Sequence, residues 1–516
     1  MAGTQSAGAV RPAGGRSLKR NGTTQRNVLT ICVSLATVMQ TLDTTIANVA
    51  LPYMRGSLGT SQDEINWVLT SYIVAAAIMT APTGFLAGKF GRKPLFVTAI
   101  AGFTITSVLC GASQTLDEIL VFRTLQGMFG AALVPLSQTT LLDIYPAEQR
   151  GFAMSLWTLG ALIGPIIGPT LGGWLTGNYS WRWVFYINVP IGILAVIGLL
   201  SFLDDTEHRP DVRLDWIGFL AISIAIGCFQ MILDRGEEMD WFSSRLIIVG
   251  AIVAGLGLYI FLVQSCLAPK PFLSLALFKD LNFVIGTTLY FIVGLVLYAT
   301  MALLAPYLQT LMHYPVLTAG LVMAPRGLGS MLAAMICGRL LRIVDARILI
   351  TVGFIACAYA QYEMTGWTLD ISEWDVVIAG FIQGIGISCL SVPLTTVAFS
   401  TLPAPLRTEA TGIYNLMRNL GSSVGISVTS ALLVQNTQIN HAILVAGITP
   451  FNRLLQDNVV ARYWSANTAQ GAALLNQEIT RQASVIGYRD DFVLMLVLVL
   501  LALPLVPLIS SGKPAR

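Results

Sequence analysis

The sequence predicts an all-α integral membrane protein with fourteen transmembrane helices. Three observations carry that expectation: scarcity of charge, a series of uncharged runs long enough to cross a bilayer, and an internal repeat. The 516 residues are 55% hydrophobic and 11% charged, whereas a soluble domain carries roughly a quarter charged residues. Asp, Glu, Lys and Arg are absent from 65–88, 94–116, 124–142, 151–181, 183–203, 216–233, 246–269, 282–325, 376–406, 419–452 and 492–512. A helix of about 20 apolar residues spans the hydrocarbon core, so 282–325 holds one span and the start of another. Three further spans contain one charge each: 28–54 with Asp43, 316–338 with Arg326, and 348–366 with Glu363.

Basic residues set the expected orientation. With the N-terminus in the cytoplasm, nineteen Lys and Arg lie on that side and eight on the outer side, leaving Arg123, Arg326 and Arg418 inside helices. Four of the outer eight share one long loop, where charge carries little weight, so the short loops decide and both termini are expected to be cytoplasmic.

The chain repeats itself at an offset of 257 residues. Gln126-Gly127 returns as Gln383-Gly384, Pro146 and Arg150 as Pro403 and Arg407, and Gly164 and Gly168 as Gly421 and Gly425. Such repeats mark secondary transporters, whose sites lie between the repeated halves. The offset is too long for six helices, so two more, about 215–234 and 245–267, are expected between the halves around an outer hairpin at 234–242. The expected plan is a tail at 1–27, a six-helix bundle at 28–203, an inserted pair with flanking loops at 204–281, a second six-helix bundle at 282–511, and a tail at 512–516. The second bundle includes an outer loop at 435–489 with apolar residues Ile479, Val485 and Ile486 near its end, enough for a short helix.

Several classes are disfavoured. A net charge of +3 and a basic N-terminus that reads as the flank of a first helix give no nucleic-acid partner. That terminus is too hydrophilic for a signal peptide, so the first helix is expected to be retained. The seven cysteines fall in expected spans and the three histidines in expected loops, which implies neither a disulfide framework nor a metal cluster. The phosphate-binding pattern GxxxxGK[ST] is absent: Phe90 follows Gly88-Lys89, and Pro514 follows Gly512-Lys513. Transport would therefore run on an ion gradient, with no enzyme chemistry and no cofactor.

The motifs carry a resemblance. Gly84 through Lys93 (GFLAGKFGRK) resembles the loop motif of the major facilitator superfamily, and Arg123-Thr124-Leu125-Gln126-Gly127 its fourth-helix motif. Gly160 through Gly173, with Gly164-Pro165 and Gly168-Pro169, resembles the fifth-helix motif of its antiporters, and Leu42 through Pro52 (LDTTIANVALP) the first-helix motif of its fourteen-helix drug:proton antiporters. The likeness covers about 28 to 510 and implies the major facilitator fold. One departure is Gly88, where the loop motif usually has Asp; it is a subfamily character and removes one partner for the loop arginine. The resemblance implies inward proton for outward lipophilic drug or toxic compound, a Gram-negative inner membrane, and a periplasmic membrane-fusion adaptor with an outer-membrane channel as partners.

Individual residues can be read physically. Asp43 is costly in lipid and should face a wet cavity or a partner. Gln40, Asp43, Thr44, Ala47 and Asn48 share a small or polar face. A carboxylate switched between a desolvated setting and a nearby cation, with Arg123 as the cation, is a proton carrier; the bland alternative is a fixed hydrogen bond to backbone. Gly160, Gly164, Gly168 and Gly172 line one helix face, where small residues let backbones touch, and Pro165 and Pro169 should bend it. This reads as a hinge between the halves or as plain packing. Lys89, Arg92 and Lys93 read as a gating clamp, a topology signal, or both. Glu409 is grouped with proton coupling, although it also suits a helix N-terminus. Gln40, Asn48, Gln126, Tyr290, Tyr298, Asn415 and Arg418 are assigned to the substrate cavity, with the tyrosines open to a packing role instead. Arg326 could face that cavity, Glu363 snorkel, and Asp143 lie at the interface. A single-metabolite exporter, an uncoupled channel or uniporter, and a transporter-derived receptor or scaffold stay open as rival readings.

Overall fold

The computed structural model describes residues 23–60, 62–80, 82–146, 149–205, 215–236, 239–268, 275–403, 406–448 and 468–510. The first half contains α1 (Thr23–Leu58), α2 (Gln62–Thr80), α3 (Thr83–Phe90), α4 (Arg92–Ala112), α5 (Leu116–Gly130), α6 (Leu133–Ile144), α7 (Arg150–Asn178), α8 (Trp183–Tyr186) and α9 (Asn188–Phe202). Then come α10 (Trp216–Arg235) and α11 (Arg245–Leu267). The second half contains α12 (Leu281–Pro306), α13 (Val316–Leu340), α14 (Ala346–Thr365), α15 (Glu373–Ala398), α16 (Arg407–Ala446) and α17 (Ala469–Ala502).

Among the described residues, eleven helices are long and apolar enough to cross a membrane, and twelve if α2 and α3 form one bent span. α5 and α6 make one of these spans together, as do α8 and α9. The fourteen expected from uncharged runs also include α7 and α16, of 29 and 40 residues, which fall outside that set of twelve. Large apolar side chains face outward, as a hydrocarbon solvent permits: Tyr259 on α11 is 66% exposed and Ile105 on α4 61%.

The repeat in the sequence is a repeat in space. α1 packs on α7 and α9, and α12 packs on α16 and α17; α2 pairs with α5, and α13 with α15. Glycines set the closest of these contacts. A Cβ on Gly164 would strike the backbone of Thr41, one on Gly168 would strike Thr45, and one on Gly172 would come 2.8 Å from Ile46 Cγ1. Their repeats, Gly421 and Gly425, abut the carbonyls of Phe291 and Leu295 on α12. This corrects the expected contact: the ladder Gly160, Gly164, Gly168, Gly172 fastens α7 to α1 within its own half and does not join the halves. A small-residue face on α7 must pack somewhere, and the neighbouring polar threonines of α1 offer the matching groove, with Thr45 Oγ1 donating to the Gly164 carbonyl at 3.1 Å. Contact between halves runs instead along α7 and α13. There a Cβ on Gly338 would come 2.6 Å from Ser155 Oγ, and one on Gly151 3.0 Å from Leu341 Cδ1. Pro165 and Pro169 lie within α7, which continues unbroken from Arg150 to Asn178.

α10 touches both halves. It packs on α2 and α16, with Gln230 Nε2 donating to Ser423 Oγ at 2.6 Å and Ser427 Oγ donating to the Leu233 carbonyl at 2.7 Å. Arg235 lies 4.5 Å over the Trp67 ring. Two other expectations change. The segment 435–489, read as a loop with a short helix near its end, is helical at both ends: α17 starts at Ala469 and takes in the expected helix, and α16 runs on to Ala446. Polar helix that leaves the membrane has no apolar run to announce it. His441, expected in a loop, therefore sits in α16 and bonds Asn476 at 3.0 Å.

The glycine contacts are testable. Gly168→Leu should destabilise the protein by about 1–3 kcal/mol through overpacking, read as a fall of several degrees in melting temperature in detergent. Gly173→Ala, whose Cβ would meet only Val49 at 3.9 Å, should leave the melting temperature unchanged.

Candidate functional site

Asp43 lies in α1 with no exposed surface. Arg123 Nη1 donates to its Oδ2 at 2.6 Å. Gln126 Nε2 and Asn188 Nδ2 donate to Oδ1 at 3.0 and 3.1 Å. Arg123 and Gln126 are one helical turn apart on α5, so both face α1. Gly127 lets α5 lie against α2, since a Cβ there would collide with the Tyr72 carbonyl. That close approach brings Arg123 Nε to the Val68 carbonyl at 3.2 Å. The guanidinium is 4.4 Å from the Tyr72 ring centroid and 5.5 Å from that of Phe185, favourable positions for a cation. Asn188, at the start of α9, also donates to Ser107 Oγ at 2.9 Å, and Ser107 donates to the Phe185 carbonyl at 2.9 Å. Cys110 Sγ is 3.5 Å from Gln126 Oε1.

Every group facing the two carboxylate oxygens is a donor. That set fits an ionised carboxylate, and a carboxyl proton would displace one of the donors. Burial makes the arrangement demanding, because either charge left alone in it costs several kcal/mol. The second half shows what the same place looks like without charge. Thr300 stands 257 residues after Asp43, Gly380 after Arg123 and Gln383 after Gln126. Thr300 Oγ1 accepts from Gln361 at 2.7 Å and from Gln383 at 3.4 Å. The fold thus holds two equivalent polar nodes, one ionic and one neutral.

A second cluster joins the halves at the end bearing the 84–93 loop. Asn415 Nδ2 donates to Gln138 Oε1 at 2.5 Å, and Thr139 Oγ1 to Thr411 Oγ1 at 3.4 Å. Asp143, at the end of α6, takes Arg92 at 2.6 Å and Arg407 of the other half at 3.8 Å. Arg92 therefore finds at Asp143 an acidic partner that Gly88 does not supply. A Cβ on Gly84 would come 2.6 Å from Glu409 Cα, so the loop motif begins in backbone contact with α16. Lys89 lies 5.8 and 5.6 Å from the rings of Phe85 and Phe90, and Lys93 is half-buried at the start of α4.

Several expected site residues take other places. Gln126 is part of the Asp43 cluster and fully buried, so it is not a cavity wall. Tyr290 is 2% exposed and stacks on Tyr414 at 4.0 Å, which makes it core packing. Glu409 is outside the Asp43 cluster, in the first turn of α16. Asn415 is a cross-half contact. Gln40, Tyr298 and Arg418 are half-buried and Asn48 is exposed. Sequence reasoning missed Asn188, Tyr72 and Ser107. An Asn alone in the apolar stretch Val184 through Leu200 was the available signal for the first.

Comparison with known proteins defines the family. The family model of the Major Facilitator Superfamily matches residues 33–426. The multidrug export protein EmrB of Haemophilus influenzae is 36% identical over 90% of this chain and 92% of its own length. The fatty acid resistance protein FarB of Neisseria gonorrhoeae is 36% identical over 94% and 96%. Among solved structures, the proton:xylose symporter XylE has a TM-score of 0.59 at 15% identity, covering 92% of this chain and 95% of that one. The chain belongs to the major facilitator superfamily of multi-pass membrane transporters.

The ion pair predicts a non-additive response. Asp43→Asn and Arg123→Gln should each cost stability, Arg123→Gln by about 3 kcal/mol or more because it strands a buried carboxylate. The double substitution should cost less than the sum of the two, read by denaturation in detergent micelles.

Proposed function

We propose that this chain is a proton-coupled antiporter that exports lipophilic drugs or toxic compounds. The observation that carries the reading is the sealed Asp43–Arg123 pair, set in a transporter scaffold whose relatives are named as multidrug export proteins. Small molecules are its substrates, and multidrug efflux is the function those relatives support.

The mechanism follows from the two clusters. With the 84–93 loop in the cytoplasm, the contacts of Asn415 with Gln138, Thr139 with Thr411, and Arg407 with Asp143 close the cytoplasmic end. Substrate entry from inside requires these to part, with the halves rocking about the α7–α13 seam. α1 carries Asp43 and is fastened to α7 by the glycine ladder, so α1 and α7 move as one piece. A proton arriving from outside neutralises Asp43 and removes the charge that holds Arg123, Gln126 and Asn188 around it. The grip of α5 and α9 on α1 then loosens, and the seam is free to shift. Release of the proton inside restores the ion pair.

The fourteen-helix plan, with bundles at 28–203 and 282–511 around the inserted pair at 204–281, is part of the same proposal. So are the inner-membrane location and two cytoplasmic termini. The resemblance to tripartite exporters adds a periplasmic adaptor of the membrane-fusion type and an outer-membrane channel. The outer ends of α16 and α17, together with the hairpin between α10 and α11, are the surfaces available to the adaptor.

Two measurements test this reading. In proteoliposomes with an imposed pH gradient, Asp43→Asn should bind a lipophilic dye yet lose gradient-driven flux, about tenfold or more, while Asp43→Glu should keep part of it. Full flux in Asp43→Asn would make the pair structural. In cells, with the native cysteines replaced, Asn178→Cys should react with an impermeant thiol reagent added outside and Lys89→Cys should not. The reverse pattern would invert the direction of transport.

A further inference from the structure

The second half holds an acid that the mechanism above does not use. Asp491, on α17, has no exposed surface, and neither of its carboxyl oxygens has a hydrogen-bond partner. Asp43 is buried to the same degree but takes three donors, one of them an arginine. Among the described residues Asp491 makes no ion pair.

The helix that carries Asp491 fixes where it points. One turn earlier, Gly487 lies against α16, since a Cβ there would come 3.1 Å from both Leu433 Cδ1 and Thr437 Oγ1. Tyr488 meets Tyr307, in the turn after α12, at 5.2 Å between ring centroids. At about 3.6 residues per turn, Asp491 points between those two directions, into the angle between α16 and the end of α12.

No cation stands there among the described residues. Asp, Glu, Lys and Arg are absent from 282–325 and 419–452, which take in α12 from Asn282 and α16 from Asn419. The titratable groups of those lengths are engaged or distant. Tyr307 donates to the Thr368 carbonyl at 3.0 Å, His441 bonds Asn476, and Tyr290 and Tyr298 lie two turns or more down α12. α14, the third helix packed on α17, brings an exposed acid, Glu363, exposed Tyr359 and Tyr362, and buried Cys357, with Arg347 at its far end. On α17 itself, Asp490 and Tyr488 are within electrostatic reach. Arg489 is exposed and two residues away, so it faces elsewhere. Arg481 is nearly three turns away and held by the Leu311 carbonyl.

A carboxylate in this setting would lack both the donors and the cation that Asp43 has, whereas a carboxylic acid brings no charge to satisfy. The acid also has a path for exchange. The uncharged run of the last span starts at Phe492, and Arg489 and Asp490 beside Asp491 are exposed. Asp491 thus stands at the edge of the apolar span, at the end of its half away from the 84–93 loop. We infer that Asp491 is a proton-binding site separate from the Asp43 cluster, filled while α17 is packed on α16 and α12 and in exchange with the solution at that end. α16 is one unbroken helix from Arg407 to Ala446, so the rod whose packing this proton secures also bears Asn415 of the cross-half seal. The site goes beyond the export reading, and a chain without gradient-driven flux would leave it standing.

Infrared spectroscopy of the purified full chain in maltoside micelles, which have no carbonyl of their own, tests the site. At about pH 7 the carbonyl stretch of a protonated carboxylic acid should be present in the native chain, lost in Asp491→Asn and kept in Asp43→Asn. Absence of that band from the native chain, or its survival in Asp491→Asn, overturns the site. Raising the pH should remove the band, and a band that persists at every pH at which the chain stays folded overturns the exchange. The packed chain holds a proton that the unfolded chain gives up, so stability falls as pH rises. Between about pH 6 and about pH 9 the melting temperature of the native chain should therefore drop by several degrees more than that of Asp491→Asn. Parallel curves count against the proposal. If Asp491→Asn fails to fold, Thr437→Lys decides: it sets a cation at the α16 crossing, so the band should vanish with Asp491 in place, and an unchanged band counts against the site. Loss of the band on adding sodium at constant pH would assign the site to a metal cation and overturn the proton reading.

Discussion

A carboxylate inside a bilayer must be answered by donors or neutralised, and much of the first half is arranged to answer one. Asp43 draws α5 through Arg123 and Gln126, and α9 through Asn188. Arg123 in turn needs α2, whose Val68 carbonyl and Tyr72 ring cover it. Four helices are tied through one charged node, and glycines at the crossings let the backbones come close enough for those bonds to form. The cluster is therefore both the most constrained part of the half and the part whose charge state most affects how the helices hold together.

The internal repeat makes that node informative by contrast. The second half keeps the same helix pairings and the same Gln at position 383, but its carboxylate position holds Thr300 and its arginine position Gly380. Neutral hydrogen bonds suffice to hold that half together, so packing alone does not require an ion pair at this place in the fold. The ionisable groups of the second half stand elsewhere: Arg326 and Asp491 are buried and Arg418 half-buried. One half holds a paired charge sealed from its surroundings, and the other holds buried ionisable groups without an ion-pair partner among the described residues.

Much of this was legible in the residues, for identifiable reasons. Uncharged runs located the spans because hydrocarbon penalises charge one residue at a time. The offset of 257 residues revealed equivalent helices, and Asp43 with Arg123 stood out as charges where none is cheap. What the offset does not encode is contact: Gly164 and Gly421 are equivalent, yet nothing in either sequence says that each packs on the first helix of its own half. Asn188 escaped notice because counting charges treats Asn as apolar, although its amide is one of three donors to Asp43. Tyr290 was read by chemistry, while its stacking on Tyr414 depends on a helix more than a hundred residues away. The outer turns of α16 and α17 leave the apolar phase, where composition no longer distinguishes helix from loop.

The neutrality of Thr300 bears on energetics as well as architecture. Under the proposed coupling through Asp43, one carboxylate in the pair of equivalent nodes would carry a single proton per cycle. A cargo without charge, exchanged for one proton, can then be accumulated against its gradient by no more than about tenfold for each 59 mV of proton-motive force. An organic anion leaving as one proton enters would move two charges in the same electrical sense, so the membrane voltage would act on it twice. The ceiling on accumulation would then depend on what is carried, and an acid would be pumped to a steeper ratio than a neutral drug by the same unaltered machine.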